Sequence, residues 1–310
     1  MIKKLKLILS TFYQTFKIKL SINYFNFFDK GIDNDLLLTK KISDRGLLWS
    51  KSKDTEIFLI CSTYNWEKDL VKAFKNYKKT YHFNWPNIEN FFKTKVEWEL
   101  FFNDLNNKLC SNFDNFYDQN KNIIVFIYAS DFSISEKTIM YLKRKNVLLI
   151  SFCWDDLLNF KGVVNGQPVG VSQMSKTVDF NLTMSPETIS KYNFYNSVCY
   201  FWDSIKINVV NSKIDRIKIK TFYVLFIGSS YGHRGIFIKK LINKGVKFKC
   251  FGKGWENDSL NDEEYENEIR KAPLTLGFSS VGTTKTITTI KGRDFEVPLL
   301  GGLYLTQYSK

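Results

Sequence analysis

Two segments of this 310-residue chain carry residue types suited to a phosphorylated ligand. The first is Gly228-Ser229-Ser230-Tyr231-Gly232-His233-Arg234-Gly235, which follows the apolar run 222–228 and precedes a helical stretch. Glycines at a strand-to-helix turn let backbone N–H groups approach a phosphate, and the helix N-terminus adds a favourable dipole. Arg234, in the first helical turn, can offer two parallel N–H donors to a diphosphate. The loop is neither G-x-G-x-x-G nor a Walker A, since no Gly-Lys-Ser/Thr follows. It therefore also reads as a tight turn bearing an exposed arginine.

The second segment runs from Lys291 to Gly302 (Lys-Gly-Arg-Asp-Phe-Glu-Val-Pro-Leu-Leu-Gly-Gly). A helix there would carry Arg293, Asp294 and Glu296 within two turns and stop at Gly301-Gly302 before an apolar strand. Arginine binds phosphate, and a carboxylate at Glu296 can accept both hydroxyls of a ribose. The plainer reading is a surface Arg–Glu pair on a capped helix. Transfer chemistry would also need a proton acceptor. Asp155 and Asp156 follow the strand expected at 147–152, and Asp131 follows the one at 122–128. Each is equally an ordinary helix cap or turn residue. His82, between Tyr81 and Phe83, reads as a packed histidine.

Metal chemistry has little to draw on. There are two histidines, and the five cysteines are widely spaced, with no C-x-x-C pair. Free thiols in a reducing compartment are the expectation, with no metal site and no cofactor.

The elements that must position these residues are legible as apolar periodicity. Hydrophobic residues make up 44% and charged residues 25%, which are globular values and exclude a disordered chain. Residues 56–61, 122–128 and 147–152 read as continuous apolar runs, as in strands buried on both faces. Helical stretches at 66–77, 95–118 and 135–145 separate them. Weaker strands follow at 178–183 and 198–201, around a helix starting near Pro186. The alternation restarts at 222–228, with a helix at 233–244, a strand at 246–252, a helix at 262–271 and strands at 274–278 and 303–306. Such alternation predicts parallel sheets with helices on both faces. The expected fold class is therefore α/β, with a first Rossmann-like domain at 55–202, a polar, basic linker at 203–220, and a second Rossmann-like domain at 221–310. That second domain is shorter than a doubly wound domain usually is, so the reading takes it as incomplete. It expects apolar faces near the last strand to be partly exposed and prone to association.

Residues 1–54 precede the first domain. Residues 1–20 hold five lysines and no acid, and Ile2, Leu5, Leu9, Phe12, Phe16 and Leu20 recur with helical period. A basic amphipathic helix of this kind can lie on an anionic membrane; equally it can pack on the first domain with its lysines in water. Residues 29–54 read as a connector. The apolar start is too short for a membrane span and lacks a cleavage site, so the expected location is cytoplasmic, with peripheral contact at the inner face of the membrane through residues 1–20.

Three motifs taken together resemble the CgeB-like (spore-maturation type) glycosyltransferases, related to glycosyltransferase group 1. They are Phe226-Ile227-Gly228-Ser229-x-Tyr231-x-x-Arg234, then Gly252-x-Gly254-Trp255, then Arg293-Asp294-Phe295-Glu296-x-Pro298-x-x-Gly301-Gly302. They occur in order across 222–306. The first half of the chain matches only loosely, through Trp154-Asp155-Asp156 and Phe180–Ser185. The resemblance implies a GT-B-like fold, two Rossmann-like domains facing across a cleft, with a nucleotide-sugar donor (UDP- or GDP-linked) on the second and a glycan, protein or lipid acceptor on the first. It implies transfer without a metal. It implies that Glu296 holds the donor ribose or sugar, that Arg234 and Arg293 hold the diphosphate, and that Gly228, Ser229, Tyr231, Gly252 and Gly301 complete the donor site. Asp155 and Asp156 stand as candidates for the catalytic base. The sequence departs from the group where a second Glu often stands eight positions before Glu296; Thr288 is there instead.

Two other readings compete. A non-catalytic nucleotide- or sugar-binding remnant would fit a short second domain. A nucleic-acid-binding protein would fit the net charge of +14, although the lysines are dispersed and no nucleic-acid module is recognisable.

Overall fold

The computed structural model describes residues 2–29, 31–63, 67–85, 94–202 and 222–307. The linker expected at 203–220 lies outside the described residues. The chain divides into two compact units, one made of Ser21–Asp203 and the other of Met1–Leu20 together with Ser204–Lys310.

The first unit is built on a six-stranded, wholly parallel sheet. Its strands are β1 (Thr55–Cys61), β2 (Thr80–Asn84), β3 (Asn122–Ile127), β4 (Leu148–Cys153), β7 (Phe180–Thr183) and β8 (Cys199–Phe201), in the order β2-β1-β3-β4-β7-β8. The continuous apolar runs are explained by burial on both faces. Along β1, Phe58 and Ile60 enter one core with Leu109, Phe113, Val125 and Leu149. Ile57, Leu59 and Cys61 enter the other with Leu70, Val71, Phe126 and Phe152. Helices α3 (Glu67–Tyr77), α4 (Lys95–Phe116) and α5 (Glu136–Lys143) fill the crossovers. A reciprocal capping box between Thr94 and Glu97 starts α4, and the Ser135 hydroxyl accepts the Thr138 N–H to start α5.

Three elements of this unit differ from expectation. The segment read as a connector contains α2 (Asn34–Arg45), capped by Asp33 and ended by Gly46 at φ 64°. It buries no residue, so it shows no apolar stripe; polar contacts hold it instead. Asn34 donates to the Cys199 carbonyl at 2.8 Å, and Arg45 donates to the Val147 carbonyl at 2.7 Å. β2 lies at the sheet edge, where the His82 Nε2–H donates to the Cys61 carbonyl at 2.9 Å. An antiparallel hairpin of β5 (Lys161–Val164) and β6 (Gln167–Gly170) turns at Asn165-Gly166, both at positive φ, as a two-residue turn requires. Short helices α6 (Asp156–Asn159) and α7 (Met174–Thr177) flank the hairpin, and α8 (Ile189–Phe194) follows a 3-10 turn at Pro186.

The second unit has a four-stranded parallel sheet, order β10-β9-β11-β12. Its strands are β9 (Val224–Ile227), β10 (Phe248–Phe251), β11 (Leu274–Leu276) and β12 (Tyr304–Leu305). Helix α9 (Arg234–Ile242) covers one face through Ile238, against Val224, Phe226, Cys250 and Leu276. Helices α10 (Asp262–Lys271) and α11 (Gly292–Leu299) cover the other through Ile269, Val297 and the following Leu300. Helices on both faces give the Rossmann-like arrangement. β12 is an edge strand, with Leu303 and Leu305 exposed.

Helix α1 (Ile2–Phe27) opens the chain. The 1–54 segment expected as one piece is thus divided: residues 1–20 belong with the second unit, and the rest with the first. The helical period is as expected; of the two alternatives, packing on the first domain is not what the structure has, since residues 1–20 group with the second unit and the apolar row faces outward. Leu9, Phe12, Phe16 and Leu20 are exposed, whereas Ile18 is buried. Thr11 and Gln14 make the hydrogen bonds, to Thr283. In the first unit Phe25, further along α1, meets the rings of Phe160, Phe194 and Tyr195.

A buried ion pair ties α2 to β4 and β7. Asp179 is fully buried; its carboxylate accepts from Arg45 at 3.0 Å and from the Leu149 N–H at 2.8 Å. Burial pushes this carboxyl up, and the Leu149 N–H and Arg45 pull it back. Removing one partner of a buried pair leaves the other charge uncompensated. Arg45→Ala is therefore expected to destabilise the protein by about 3 kcal/mol, read as a lower urea midpoint with an unchanged slope.

Candidate functional site

All four strands of the second sheet run parallel, so their carboxyl ends share one edge. Two loops meet there backbone to backbone. A Cβ at Gly252 would stand 3.0 Å from the Gly228 carbonyl carbon and oxygen, and Gly252 has φ 113°. Only glycine tolerates both demands. The Ser230 N–H donates to the Lys253 carbonyl at 2.9 Å, and the Trp255 indole N–H donates to the Gly228 carbonyl at 2.7 Å. Trp255 stacks edge-on against Phe226 of β9. The glycines of the two motifs therefore serve one juncture.

Two guanidinium groups lie at this juncture. Arg293, in the first turn of α11, reaches back over the loop: its Nη1 would be 3.3 Å from a Cβ at Gly228. Arg234, the first residue of α9, is only 8% exposed. Its guanidinium carbon lies 4.2 Å from the centre of the Tyr231 ring and 5.8 Å from that of Phe278. Among the described residues no carboxylate forms an ion pair with Arg234, and its Nε is buried without a hydrogen bond. Burial lowers its pKa; Tyr231 opposes this, and the positive charge of Arg293 adds to it. His233, just before it, has both ring nitrogens buried without a partner and packs edge-on against Phe278. Burial, then Arg234 and Lys285, lower the His233 pKa, favouring the neutral ring.

Glu296 stands one turn beyond Arg293. Its Oε2 accepts from the Tyr265 hydroxyl of α10 at 2.6 Å. Its Oε1 lies towards Gly292, 3.4 Å from where a Cβ would be. The half-buried Tyr265 hydroxyl also contacts Arg293, which links the carboxylate to the guanidinium. Asp294 turns elsewhere and accepts the Lys291 N–H at 2.7 Å, fixing the start of α11.

The structure thus brings Gly228, Gly252, Tyr231, Arg234 and Arg293 together, with Ser229 on the same loop and Glu296 adjoining through Tyr265. Gly301, at φ 78°, turns the chain out of α11 towards β12. Tyr265 and Phe278 were not singled out from sequence, because a tyrosine inside an unremarkable helix or a phenylalanine after an apolar strand carries no local signal. Thr288, in place of a second Glu, bridges to Ser280 in the 277–291 loop.

The aspartates of the first unit are placed differently from one another. Asp155 is exposed after β4, at the start of α6. Asp156 is fully buried; it accepts from the Tyr192 hydroxyl at 2.8 Å, and burial raises its pKa to about 6. The equally buried Lys191 ammonium donates to the backbone carbonyls of Asp156 and Leu157. Asp131 accepts the backbone N–H groups of Gln173 and Met174 and so orders the turn into α7. Among the described residues no group of three His, Cys, Asp or Glu is arranged to hold a metal ion.

No family model matches the chain, and no curated protein matches it. Among solved structures, the crystal structure of an alpha1,3-fucosyltransferase is similar at 10% sequence identity with a TM-score of 0.41, over 85% of this chain and 71% of that one.

Proposed function

We propose that the chain is a glycosyltransferase that moves a sugar from a nucleotide-sugar donor, UDP- or GDP-linked, to a glycan, protein or lipid acceptor. The observation that carries this reading is Arg234: a guanidinium withdrawn from water, near a second guanidinium, with no carboxylate paired to it among the described residues. Such a pair is stabilised by a bound anion of matching charge, and a diphosphate offers it. The position at the carboxyl edge of a parallel sheet is where such sheets take nucleotides.

In the reaction, the bond from the anomeric carbon to the diphosphate oxygen breaks, and the diphosphate leaves with the electron pair. Arg234, Arg293 and the start of α9 stabilise that charge, which is the role a divalent metal would otherwise take. The free edge of Glu296 accepts hydroxyls of the ribose or sugar. The acceptor oxygen attacks the anomeric carbon and gives its proton to a carboxylate of the first unit. Of the two candidates, Asp155 is open to an acceptor, and Asp156 is committed to Tyr192. The GT-B arrangement belongs to this proposal, with the acceptor on the first domain and the donor on the second.

The donor site is tested by calorimetry with UDP and GDP. A charge-assisted contact is worth about 1.5–3 kcal/mol, so Arg234→Gln is expected to raise Kd by roughly 10- to 100-fold for the diphosphate that binds. An unchanged Kd in a folded variant removes Arg234 from the site, and no binding of either diphosphate to the unaltered protein defeats the reading.

The two aspartates separate by what they lose. Asp155→Asn is expected to leave the melting temperature and donor affinity intact and to slow transfer by roughly 10²–10⁴-fold. Asp156→Ala leaves the buried Tyr192 hydroxyl unpaired and is expected to cost about 1–3 kcal/mol of stability, measured by thermal melting. Full transfer by Asp155→Asn would exclude it as the base.

A further inference from the structure

We propose that the outward face of α1, from Leu9 to Leu20, seats the protein on an anionic lipid bilayer. A surface helix normally turns its apolar stripe inward; this one does the reverse. Leu9, Phe12, Tyr13, Phe16 and Leu20 fall within one arc of about 100° at 3.6 residues per turn, and each is more than half exposed. The rings of Phe12 and Phe16 stack on each other in that row, with centroids 6.4 Å apart. The opposite side is fixed to the second unit by polar contacts. Thr11 donates to the Thr283 carbonyl at 3.1 Å, Gln14 accepts both the Thr283 N–H and its hydroxyl at 2.9 Å, and Ile18 is buried. These contacts set the rotation of the helix, so the aromatic row cannot roll inward without breaking them.

Charge decides between possible occupants of this face. The 26-residue helix contains five lysines and no acid. Lys17 and Lys19, both exposed, fall on the two margins of the apolar arc, where their stems can lie along the apolar row while the ammonium groups reach outward. A second copy would bring the same positive face to the contact, in a chain of net charge +14. A bilayer with anionic headgroups offers apolar depth to the centre of the row and negative charge to its edges. No helix among the described residues is long and apolar enough to cross a membrane, so α1 lies in the plane of the surface. The face is independent of the transferase reading, because its residues are exposed and form no part of the donor site proposed above.

The test is co-sedimentation of the full chain with vesicles of phosphatidylcholine, with and without phosphatidylglycerol. Binding is expected only to the mixed vesicles and to weaken as salt is raised. Phe12→Ser combined with Phe16→Ser is expected to reduce binding at least roughly tenfold, and Lys17→Glu combined with Lys19→Glu likewise. Both variants should keep the melting temperature and the donor Kd, since they alter exposed side chains away from the site. Three results each overturn the proposal: no binding to the mixed vesicles, equal binding by the variants, or a dimer in light scattering that Phe12→Ser/Phe16→Ser abolishes.

Discussion

Two guanidinium groups at one sheet edge, with no carboxylate paired to Arg234 among the described residues, are an arrangement that a folded chain must be constrained to keep. The second unit supplies the constraint through its backbone. Gly228 and Gly252 approach each other to a distance that no side chain allows, which brings the β9 and β10 loops into one floor. The Trp255 indole is tied to that floor by its bond to the Gly228 carbonyl. Arg234 then projects from the first residue of α9, and Arg293 from the first turn of α11. Both helix starts point to the same edge because every strand of the sheet runs the same way. The places of the two positive charges follow from the sheet topology, the glycines and the helix starts.

Three buried charges of the first unit are handled in the opposite manner, each with a partner. Asp179 has Arg45 and a backbone N–H, Asp131 has two backbone N–H groups, and Lys191 has two carbonyls. Each arrangement ties together segments far apart in the chain: α2 to β4 and β7, and α6 to α8. Such contacts specify one packing of otherwise interchangeable strands and helices. The contrast between the units is informative in itself. These three charges each have a partner within the fold, whereas Arg234 has no ion-pair partner among the described residues.

How much of this was legible in the sequence depended on whether the signal was local. β1, β3 and β4 announced themselves as unbroken apolar runs because both sheet faces are covered. The loop at Gly228–Arg234 and the helix with Arg293 and Glu296 were readable because the residues lie close together along the chain. Their convergence was an inference from parallel strands rather than a pattern. Helix α2 gave no signal, since it buries nothing and is held by Asn34 and Arg45 acting on strands over a hundred residues away. The hairpin at Asn165-Gly166 carried a strong turn signal that the surrounding strands, four residues each, were too short to reinforce. For α1 the period was visible but the orientation was not: periodicity says which residues share a face, and only the contacts of Gln14 and Thr283 say which face is inside. Tyr265 was unreadable, because nothing in its own helix reveals a carboxylate thirty-one residues later.

The bond between Gln14 and Thr283 has a consequence for how this chain can vary. Thr283 also packs against Gly232, 3.5 Å from where a Cβ would be, so a single residue touches the first helix on one side and the glycine loop on the other. Substitutions at Gln14, Gly232 and Thr283 are therefore not independent: a larger residue at one must be matched by a change at another. The outward row of Leu9, Phe12 and Phe16 has no such neighbours and is free to exchange one apolar residue for another. Among descendants of this sequence, the inner side of the helix should change in concert with a loop some 270 positions away, while the outer side drifts with only its greasiness preserved.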